Sequence, residues 1–288
     1  QNLNANETSA DDAWTVAVTP NDLLDDGSTN VSNQLDILAV NLCAPASDVE
    51  LTANKTCASL HIESGITVNT STFAYSVTGD VFINGTLNAS QGKNQTFRSL
   101  DINSGGTYPE PADTTKITSE NSLGSAVDCD GTYVGNGGYL LINTNQLDTN
   151  IDLKCVSGSA HDLEIDLTNT GYDATVSGAG TGGLYLTGDL IIDDGELDTD
   201  NHIVNITGEL WIQAGGYFDT RGDTVAHEFG AIDLDSSGYF YEGDGKIIID
   251  SEASSYAIDC DGYWVDDAST TSIETNTNTA MDIYCQTT

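Results

Sequence analysis

The stretch Leu60-His-Ile-Glu-Ser-Gly65 shows the pattern that decides the fold: two apolar residues separated by one residue of any type, and then a glycine after one to three further residues. Alternation of period two predicts a strand with one buried face, and the glycine supplies the corner that ends it. The pattern returns at intervals of about 20 to 26 residues, with one break between the copies that begin at Val127 and Leu190. Its further copies begin at Val81, Leu100, Val127, Leu190, Leu210, Ile232 and Ile258. A short strand and a corner at this interval predict an all-β, parallel β-solenoid (β-helix) with one coil per repeat.

The repeats are themselves duplicated. Sliding the chain by about 130 residues lays residues 60–155 over residues 190–285. Val77-Thr-Gly-Asp-Val-Phe-Ile83 then matches Ile206-Thr-Gly-Glu-Leu-Trp-Ile212. We therefore predict two tandem homologous blocks, and both a three-sided prism and a flattened two-sheet solenoid fit coils of this length. The predicted organisation is an N-terminal arm or cap at 1–48, a first block at 49–170, a Gly/Thr-rich junction at 171–183 and a second block at 184–288.

Six cysteines allow fifteen pairings, and the duplication selects among them. Because the cysteines at 129 and 155 are equivalent to those at 260 and 285, the economical set of bridges pairs each couple within its own block. The predicted bridges are Cys43–Cys57, Cys129–Cys155 and Cys260–Cys285. Two of the separations equal about one coil, which places those pairs on neighbouring coils. Bridges between subunits remain the alternative for the first pair.

Composition and cysteine content indicate a location outside the cytoplasm. An even number of cysteines with disulfide-compatible spacing is typical of exported proteins, whereas the C-x-x-C of a zinc site is missing. Seven Lys and Arg stand against 45 Asp and Glu, a net charge of −38 at pH 7, which excludes ordinary binding to nucleic acid or anionic membranes. No stretch is apolar enough for a transmembrane helix. A start at Gln1 fits a mature exported chain, with a fragment as the alternative.

Eight Asn-x-Ser/Thr triplets are candidate acceptors for N-linked glycans. They begin at Asn6, Asn30, Asn54, Asn69, Asn84, Asn88, Asn94 and Asn205. Seven of the eight lie before residue 95, which predicts a glycan-bearing N-terminal half. The alternative is that these residues are polar strand edges.

The first 35 residues contain one strand-like run, Trp14-Thr-Val-Ala-Val18, which Pro20 ends. Solenoids need caps at their open ends, and capping is the simplest role for this arm. The functional alternative is that residues 14–18 add to a strand edge of a neighbouring subunit.

The chain offers little for catalysis, and we expect no enzymatic activity. Its few basic residues are scattered, and neither a G-x-S-x-G motif nor a phosphate-binding loop occurs. The most enzyme-like group is His227-Glu228 beside Arg221 and Asp223. A solvated loop at a coil corner is the alternative interpretation of that group.

A duplicated acidic motif makes calcium the candidate ligand, and no other cofactor is expected. Asp128-Cys-Asp130 and Asp259-Cys-Asp261 each place two carboxylates on one side of a strand just before a turn. Hard cations bind through several oxygen atoms, and such a pair begins a coordination shell. Neither an EF-hand loop nor a Gly-rich nonapeptide array accompanies the motif. The alternative is that these are outward aspartates beside a disulfide.

Segments such as Leu210-Trp-Ile-Gln-Ala-Gly-Gly-Tyr-Phe218 and Leu100-Asp-Ile-Asn-Ser-Gly-Gly-Thr-Tyr108 resemble the parallel β-solenoid surface proteins of archaea and bacteria, which form adhesins and cell-envelope layers. The resemblance covers residues 49–285 and is one of repeat pattern. The acidic, disulfide-bearing and basic-poor chain is also similar to a sheath or surface-filament subunit of an archaeon. No catalytic or binding residues carry over from this resemblance.

The resemblance implies a structural protein whose partner is another copy of itself, in an extracellular layer, sheath or filament. The alternative is a β-helix that binds or degrades carbohydrate, of the tailspike or adhesin kind. No single repeat carries a cluster of aromatic residues, and no acid/base pair converges in the sequence, and both observations favour the structural protein.

Overall fold

The computed structural model describes residues 13–14, 17–18, 30–31, 35–36, 42–122, 124–145, 148–155, 157–167, 172–178, 183–250, 257–266 and 273–275. The chain divides into two compact units, residues 1–42 and 43–288. The described strands of the first unit are β1 (Ala13–Trp14), β2 (Ala17–Val18), β3 (Asn30–Val31) and β4 (Leu35–Asp36). They form two antiparallel pairs, β1 with β4 and β2 with β3. Residues 14, 17 and 18 of the strand-like run therefore pair inside their own unit.

The second unit consists of short parallel strands, and no helix occurs among its described residues. The strands of its first half are β5 (Val49–Glu50), β6 (Lys55–Cys57), β7 (Leu60–Ile62), β8 (Thr67–Asn69), β9 (Tyr75–Ile83), β10 (Thr86–Asn88), β11 (Gln95–Ile102), β12 (Thr107–Pro109), β13 (Thr114–Ile117), β14 (Ser125–Cys129), β15 (Thr132–Val134), β16 (Tyr139–Ile142), β17 (Asp148–Ile151) and β18 (Asp162–Asp166). Those of its second half are β19 (Asp173–Val176), β20 (Leu184–Leu186), β21 (Leu190–Asp198), β22 (Val204–Ile212), β23 (Gly216–Asp219), β24 (Ala226–Leu234), β25 (Tyr239–Glu242), β26 (Lys246–Ile249), β27 (Ile258–Cys260), β28 (Tyr263–Asp266) and β29 (Ile273–Thr275).

Register assigns these strands to three parallel sheets, as in a three-sided solenoid. Sheet A runs through residues 55–57, 75–77, 95–97, 114–117, 139–142, 162–165, 190–192, 210–212, 232–234 and 258–260. Sheet B runs through 60–62, 81–83, 100–102, 127–129, 148–151, 173–176, 196–198, 216–219, 239–242 and 263–266. Sheet C runs through 49–50, 67–69, 86–88, 107–109, 132–134, 184–186, 204–206, 226–229, 246–249 and 273–275, with isolated bridges at 157 and 160. The coils average about 22 residues and make about nine turns, which confirms the predicted β-solenoid.

Inward residues of successive coils stack into apolar ladders that form the core. On sheet A one ladder passes from Cys57 through nine further coils to Cys260, and its inner members are aromatic or aliphatic. Those inner members are Val77, Phe97, Ile117, Ile142, Ile165, Ile192, Ile212 and Leu234. Each is at most 2 % exposed, so every coil contributes burial that stabilises its neighbours.

Glycines at the corners serve two different physical needs. Gly65 and Gly105 adopt φ of 80° and 86°, which is the positive-φ corner expected from the repeat. Gly106 instead lies against the coil below, where an added Cβ would stand 2.0 Å from the carbonyl oxygen of Ile83. The consecutive glycines therefore combine a corner with a close approach between coils.

Two of the predicted bridges are present. Cys43 is bonded to Cys57 in the first coil, and Cys129 is bonded to Cys155, which follows the next strand of sheet B. Cys260 is also disulfide-bonded. Its predicted partner, Cys285, lies outside the described residues.

Equivalent segments of the two predicted blocks lie on different sheets. Residues 81–83 belong to sheet B, whereas their match at 210–212 belongs to sheet A. Residues 107–109 of sheet C likewise match 239–241 of sheet B, and residues 75–77 of sheet A match 204–206 of sheet C. The second block therefore repeats the first with a rotation of one sheet, a third of a turn in a three-sided solenoid.

Buried polar contacts repeat along with the segments. The Gln95 Oε1 atom accepts a hydrogen bond of 2.7 Å from the Tyr75 backbone, and at the matching positions His227 Nδ1 accepts one of 3.3 Å from the Val204 backbone. Buried carboxylates also recur at matching positions, at Glu110 and Glu242. Because these contacts recur at matching positions on different sheets, they are features of the repeating coil and are not specific to one side of the solenoid.

Candidate functional surface

The predicted calcium residues lie in two acidic ladders, one in each block. Asp128 stands in register above Asp101 on the outward side of sheet B, and Asp259 stands in register above Asp233 on the outward side of sheet A. Asp128 and Asp259 are half-buried, whereas the second aspartate of each motif, Asp130 and Asp261, is exposed. The third member of each ladder was not predicted, because it comes from the preceding coil.

Burial, together with the neighbouring like charges, raises the pKa of the central carboxyl of each ladder. Burial, followed by repulsion from Asp128, Asp130 and Asp80, raises the pKa of Asp101 to about 6. The pKa of Asp233 also rises to about 6, chiefly through burial and then through its three neighbours Asp235, Asp259 and Asp261. The two ladders are thus equivalent both in sequence and in the pKa shift of their central carboxyl group. In each ladder, the repulsion between carboxylates could be reduced by binding a proton or a cation.

A different group of carboxylates has the tightest geometry for a cation in the described part of the chain. Oxygen atoms of Glu164, Asp166 and Asp193 lie within 4.8 Å of one another on neighbouring coils. The Asn143 side chain donates a 2.7 Å hydrogen bond to Asp166. Sequence spacing did not single out this group, because Asp193 lies in the coil after the other two.

A row of tyrosine rings covers the outward side of sheet B in the second block. Tyr217 and Tyr239 are 5.0 Å apart between ring centroids and 8° from parallel, and Tyr239 and Tyr263 are 4.7 Å and 17° apart. Tyr241 packs beside them, 5.9 Å from Tyr239. The Arg221 guanidinium lies 4.4 Å from the centre of the Tyr241 ring. These five residues are the tyrosine face.

The arginine of the tyrosine face is held by a buried carboxylate. The Arg221 Nε atom donates hydrogen bonds of 2.9 and 2.8 Å to the two oxygens of Asp219, whose side chain is only 8 % exposed. These bonds raise the pKa of Arg221 further above its ordinary value. Glu196 borders the face in the preceding coil, where burial and then Asp219 raise the pKa of its carboxyl. The result is a stacked row of aromatic rings with a fixed cation and acidic groups at its rim.

The most enzyme-like group of the sequence comes together only in part. Residues 227 and 228 alternate along one strand, so His227 points into the core with no exposed surface, whereas Glu228 points outward. The His227 Nε2 atom lies 3.1 Å from a carboxylate oxygen of the equally buried Asp223, although the angle between them is poor for a hydrogen bond. Glu228 accepts a 2.9 Å hydrogen bond from Asn205. The group is therefore a buried His–Asp pair and an outward Glu rather than a solvated corner.

The candidate glycan acceptors differ in how open they are. Asn54 and Asn94 are exposed, whereas the other described acceptors are half-buried. The half-buried acceptors are Asn69, Asn84, Asn88 and Asn205. Asn69 and Asn88 occupy register-matched positions of sheet C. Asn6 and the side chain of Asn30 lie outside the described residues.

Comparison with protein families, with curated proteins and with solved structures found no match to this chain. Within the described ranges there is no helix of the length and apolarity needed to cross a membrane. The fold and the surface define the chain as a parallel β-solenoid with disulfide bonds, two acidic ladders and one aromatic face.

Proposed function

We propose that this protein is a structural subunit that assembles with copies of itself into an extracellular layer, sheath or filament. We further propose that this assembly lies on the surface of an archaeal cell, because the repeat pattern resembles that of archaeal surface proteins. The observation that carries the proposal is the stacking of three parallel sheets over about nine turns. Each coil presents the same three strands in the same direction as the coil before it. A solenoid of this type can continue from one molecule into the next by adding coils.

The two ends of the stack are the places where copies of the solenoid can join. A terminal strand of a sheet has a row of backbone N–H and C=O groups that can pair with a further strand. Head-to-tail contact between unlike ends is heterologous, and it produces open filaments when the rotation does not close into a ring. Disulfide-bonded cysteines lie at Cys57 in the first coil and at Cys260 in the last described strand of sheet A, where they stabilise coils near both ends.

Charge determines the conditions under which copies should associate. A charge of −38 per subunit opposes close packing, so assembly should strengthen with salt. We further propose calcium as the ion that neutralises the two acidic ladders, bound between Asp128 and Asp130 with Asp101, and between Asp259 and Asp261 with Asp233. Support comes from the register of these carboxylates and from the raised pKa values of Asp101 and Asp233.

Other parts of the proposal rest on the sequence. We propose that the protein is extracellular, because disulfide bonds are typical of exported proteins. We also propose that it carries N-linked glycans, with Asn54 and Asn94 as the most exposed acceptors. The N-terminal arm contributes to the contact between subunits. No enzymatic activity is part of the proposed function.

The test measures polymer formation by the full chain with intact disulfides. Light scattering and electron microscopy monitor it over a series of sodium chloride and calcium chloride concentrations. We expect polymers that grow with either salt and shrink when calcium is chelated at low ionic strength. A chain that lacks residues 1–35 separates an arm-mediated contact from a contact between coil ends. Full-length protein that stays monomeric at high salt and high concentration would refute the proposed function.

A further inference from the structure

The tyrosine face has a natural control inside the same molecule. Each of its stacked tyrosines follows a corner glycine, in the segments 216–217, 238–239 and 262–263. In the first block the matching positions follow glycines as well, but they are threonines: Thr86, Thr107 and Thr132, which stack in register on sheet C. The coil therefore closes equally well with threonine, and the fold itself does not require the three rings.

The geometry of the rings leaves part of each one available to a ligand. The rings are nearly parallel, and their centroids are 4.7 to 5.0 Å apart, which is typical of offset stacking. Tyr217, Tyr239 and Tyr263 are each half-buried, so part of every one of these residues remains accessible to solvent. A tyrosine combines an apolar ring with a hydroxyl that donates and accepts hydrogen bonds. The face thus repeats an apolar patch and a polar tip at every coil.

Charge limits the partners that can bind there. The whole chain carries −38, and Glu196 and Asp219 lie at the rim of the face. A nucleic acid, an acidic polysaccharide or the same face of a second copy would be repelled. A neutral partner avoids that cost. Its hydroxyl groups can pair with the tyrosine hydroxyls, and its C–H surfaces can pack on the rings.

We propose that the tyrosine face binds a neutral polysaccharide. The sugars of such a chain alternate between apolar C–H faces and a rim of hydroxyls, and a row of rings along the solenoid suits a ligand that is itself a repeating chain. The Arg221 guanidinium, fixed by Asp219 and packed on Tyr241, borders the row. Binding at this face is independent of assembly through the coil ends, so either activity can fail without the other.

The test is affinity electrophoresis of the full chain through native gels that contain a soluble polysaccharide. The neutral probes are laminarin, mannan and hydroxyethyl cellulose, and polygalacturonate is the acidic comparison. The key variant is Tyr217→Thr/Tyr239→Thr, because the first block shows that threonine fits these positions. The matched control is Phe82→Thr, an outward aromatic residue on sheet B of the first block.

We expect retardation by at least one neutral probe, none by polygalacturonate, and a dissociation constant at least about tenfold higher for the double variant, a loss of about 1.4 kcal/mol. The control should bind like the parent, and circular dichroism should show both variants folded. Absence of binding to all three neutral probes, or equal binding by the double variant, would overturn the proposal. Sedimentation that shows parent dimers lost in the double variant would also overturn it, because the face would then join two copies.

Discussion

Mild acid should stabilise this solenoid, in contrast to the usual behaviour of proteins with many carboxylates. Every carboxyl pKa shift resolved among the described residues is upward, including those of Asp101 and Asp233 to about 6. A raised pKa means that the folded state holds the proton more tightly than the unfolded chain, whose aspartates have a pKa of about 3.9. Below that value the carboxyl groups are protonated in both states, and they do not lower the free energy of unfolding. The free energy of unfolding falls as the pH rises from about 4 to 6, and the loss is complete above pH 6.

The magnitude follows from the shift. A rise of about two pKa units corresponds to about 3 kcal/mol per group if solvent does not screen it. Both side chains keep contact with water, which reduces this to about 1 kcal/mol each. Asp101 and Asp233 lie six coils apart, roughly 29 Å at the spacing of neighbouring strands, so their effects should add.

The perturbation is Asp101→Asn with Asp233→Asn, which removes the ionisable group and keeps its shape. At pH 7.5 we expect the double variant to unfold with a free energy about 2 kcal/mol higher than the parent, and at pH 4 we expect no difference. The control is Asp244→Asn, an exposed aspartate outside both ladders.

The assay is urea unfolding followed by tryptophan fluorescence at pH 4, 5.5 and 7.5. If the unfolding free energy of the parent falls between pH 7.5 and pH 5.5, the electrostatic reasoning is wrong. It is equally wrong if the double variant is destabilised by the same amount at every pH, because that would mean that the aspartates stabilise the coil through hydrogen bonds.

Three further substitutions test the packing of the coils. Phe218→Ala should lower the unfolding free energy by about 3–5 kcal/mol, because its ring is fully buried between other aromatic rings, whereas Tyr217→Ala on the outward side should cost far less. Equal costs in urea unfolding would contradict the alternation of the strand. Gly106→Ala should lower the melting temperature measured by circular dichroism, since its Cβ would meet a carbonyl at 2.0 Å, and an unchanged melting temperature would mean that the coils separate easily. Replacing Cys129 and Cys155 by serine should lower the unfolding free energy by about 3.5 kcal/mol for a loop of 26 residues, and no loss would indicate a constrained unfolded state.

The sequence predicts the coil well because the coil is a local property. Alternation fixes which side of each strand is buried, and the inward residues of sheet A follow it from Val77 to Leu234. The duplication also leads to the bridge between Cys129 and Cys155, which the structure contains. Spacing alone, however, does not say on which of three sheets a strand lies. The rotation of one sheet between the blocks could therefore be found only from register.

The surface was harder to predict because it is built across coils. A search for aromatic residues within one repeat finds only Tyr239 and Tyr241 of the tyrosine face, since the other two rings come from the coils before and after. The signal was present as Tyr217, Tyr239 and Tyr263, each directly after a corner glycine. The same limit applies to Asp101, which joins Asp128 only when the coils are stacked. For His227 and Glu228, by contrast, period-two alternation already implies opposite sides of the strand.

The two blocks together separate what the coil needs from what a particular side of the molecule does. The acidic pair at 128 and 130 recurs at 259 and 261, although the two pairs lie on different sheets. A single binding surface on one side of the solenoid therefore does not account for both pairs. The same holds for the buried carboxylates at Glu110 and Glu242. At the three positions after the corner glycines the blocks differ, with threonine in one and tyrosine in the other. A feature kept in both blocks is a property of the repeat, whereas a feature that three successive coils of one block acquire together is a property of a surface. The tyrosine face is therefore the side of this solenoid on which a binding partner should be sought first.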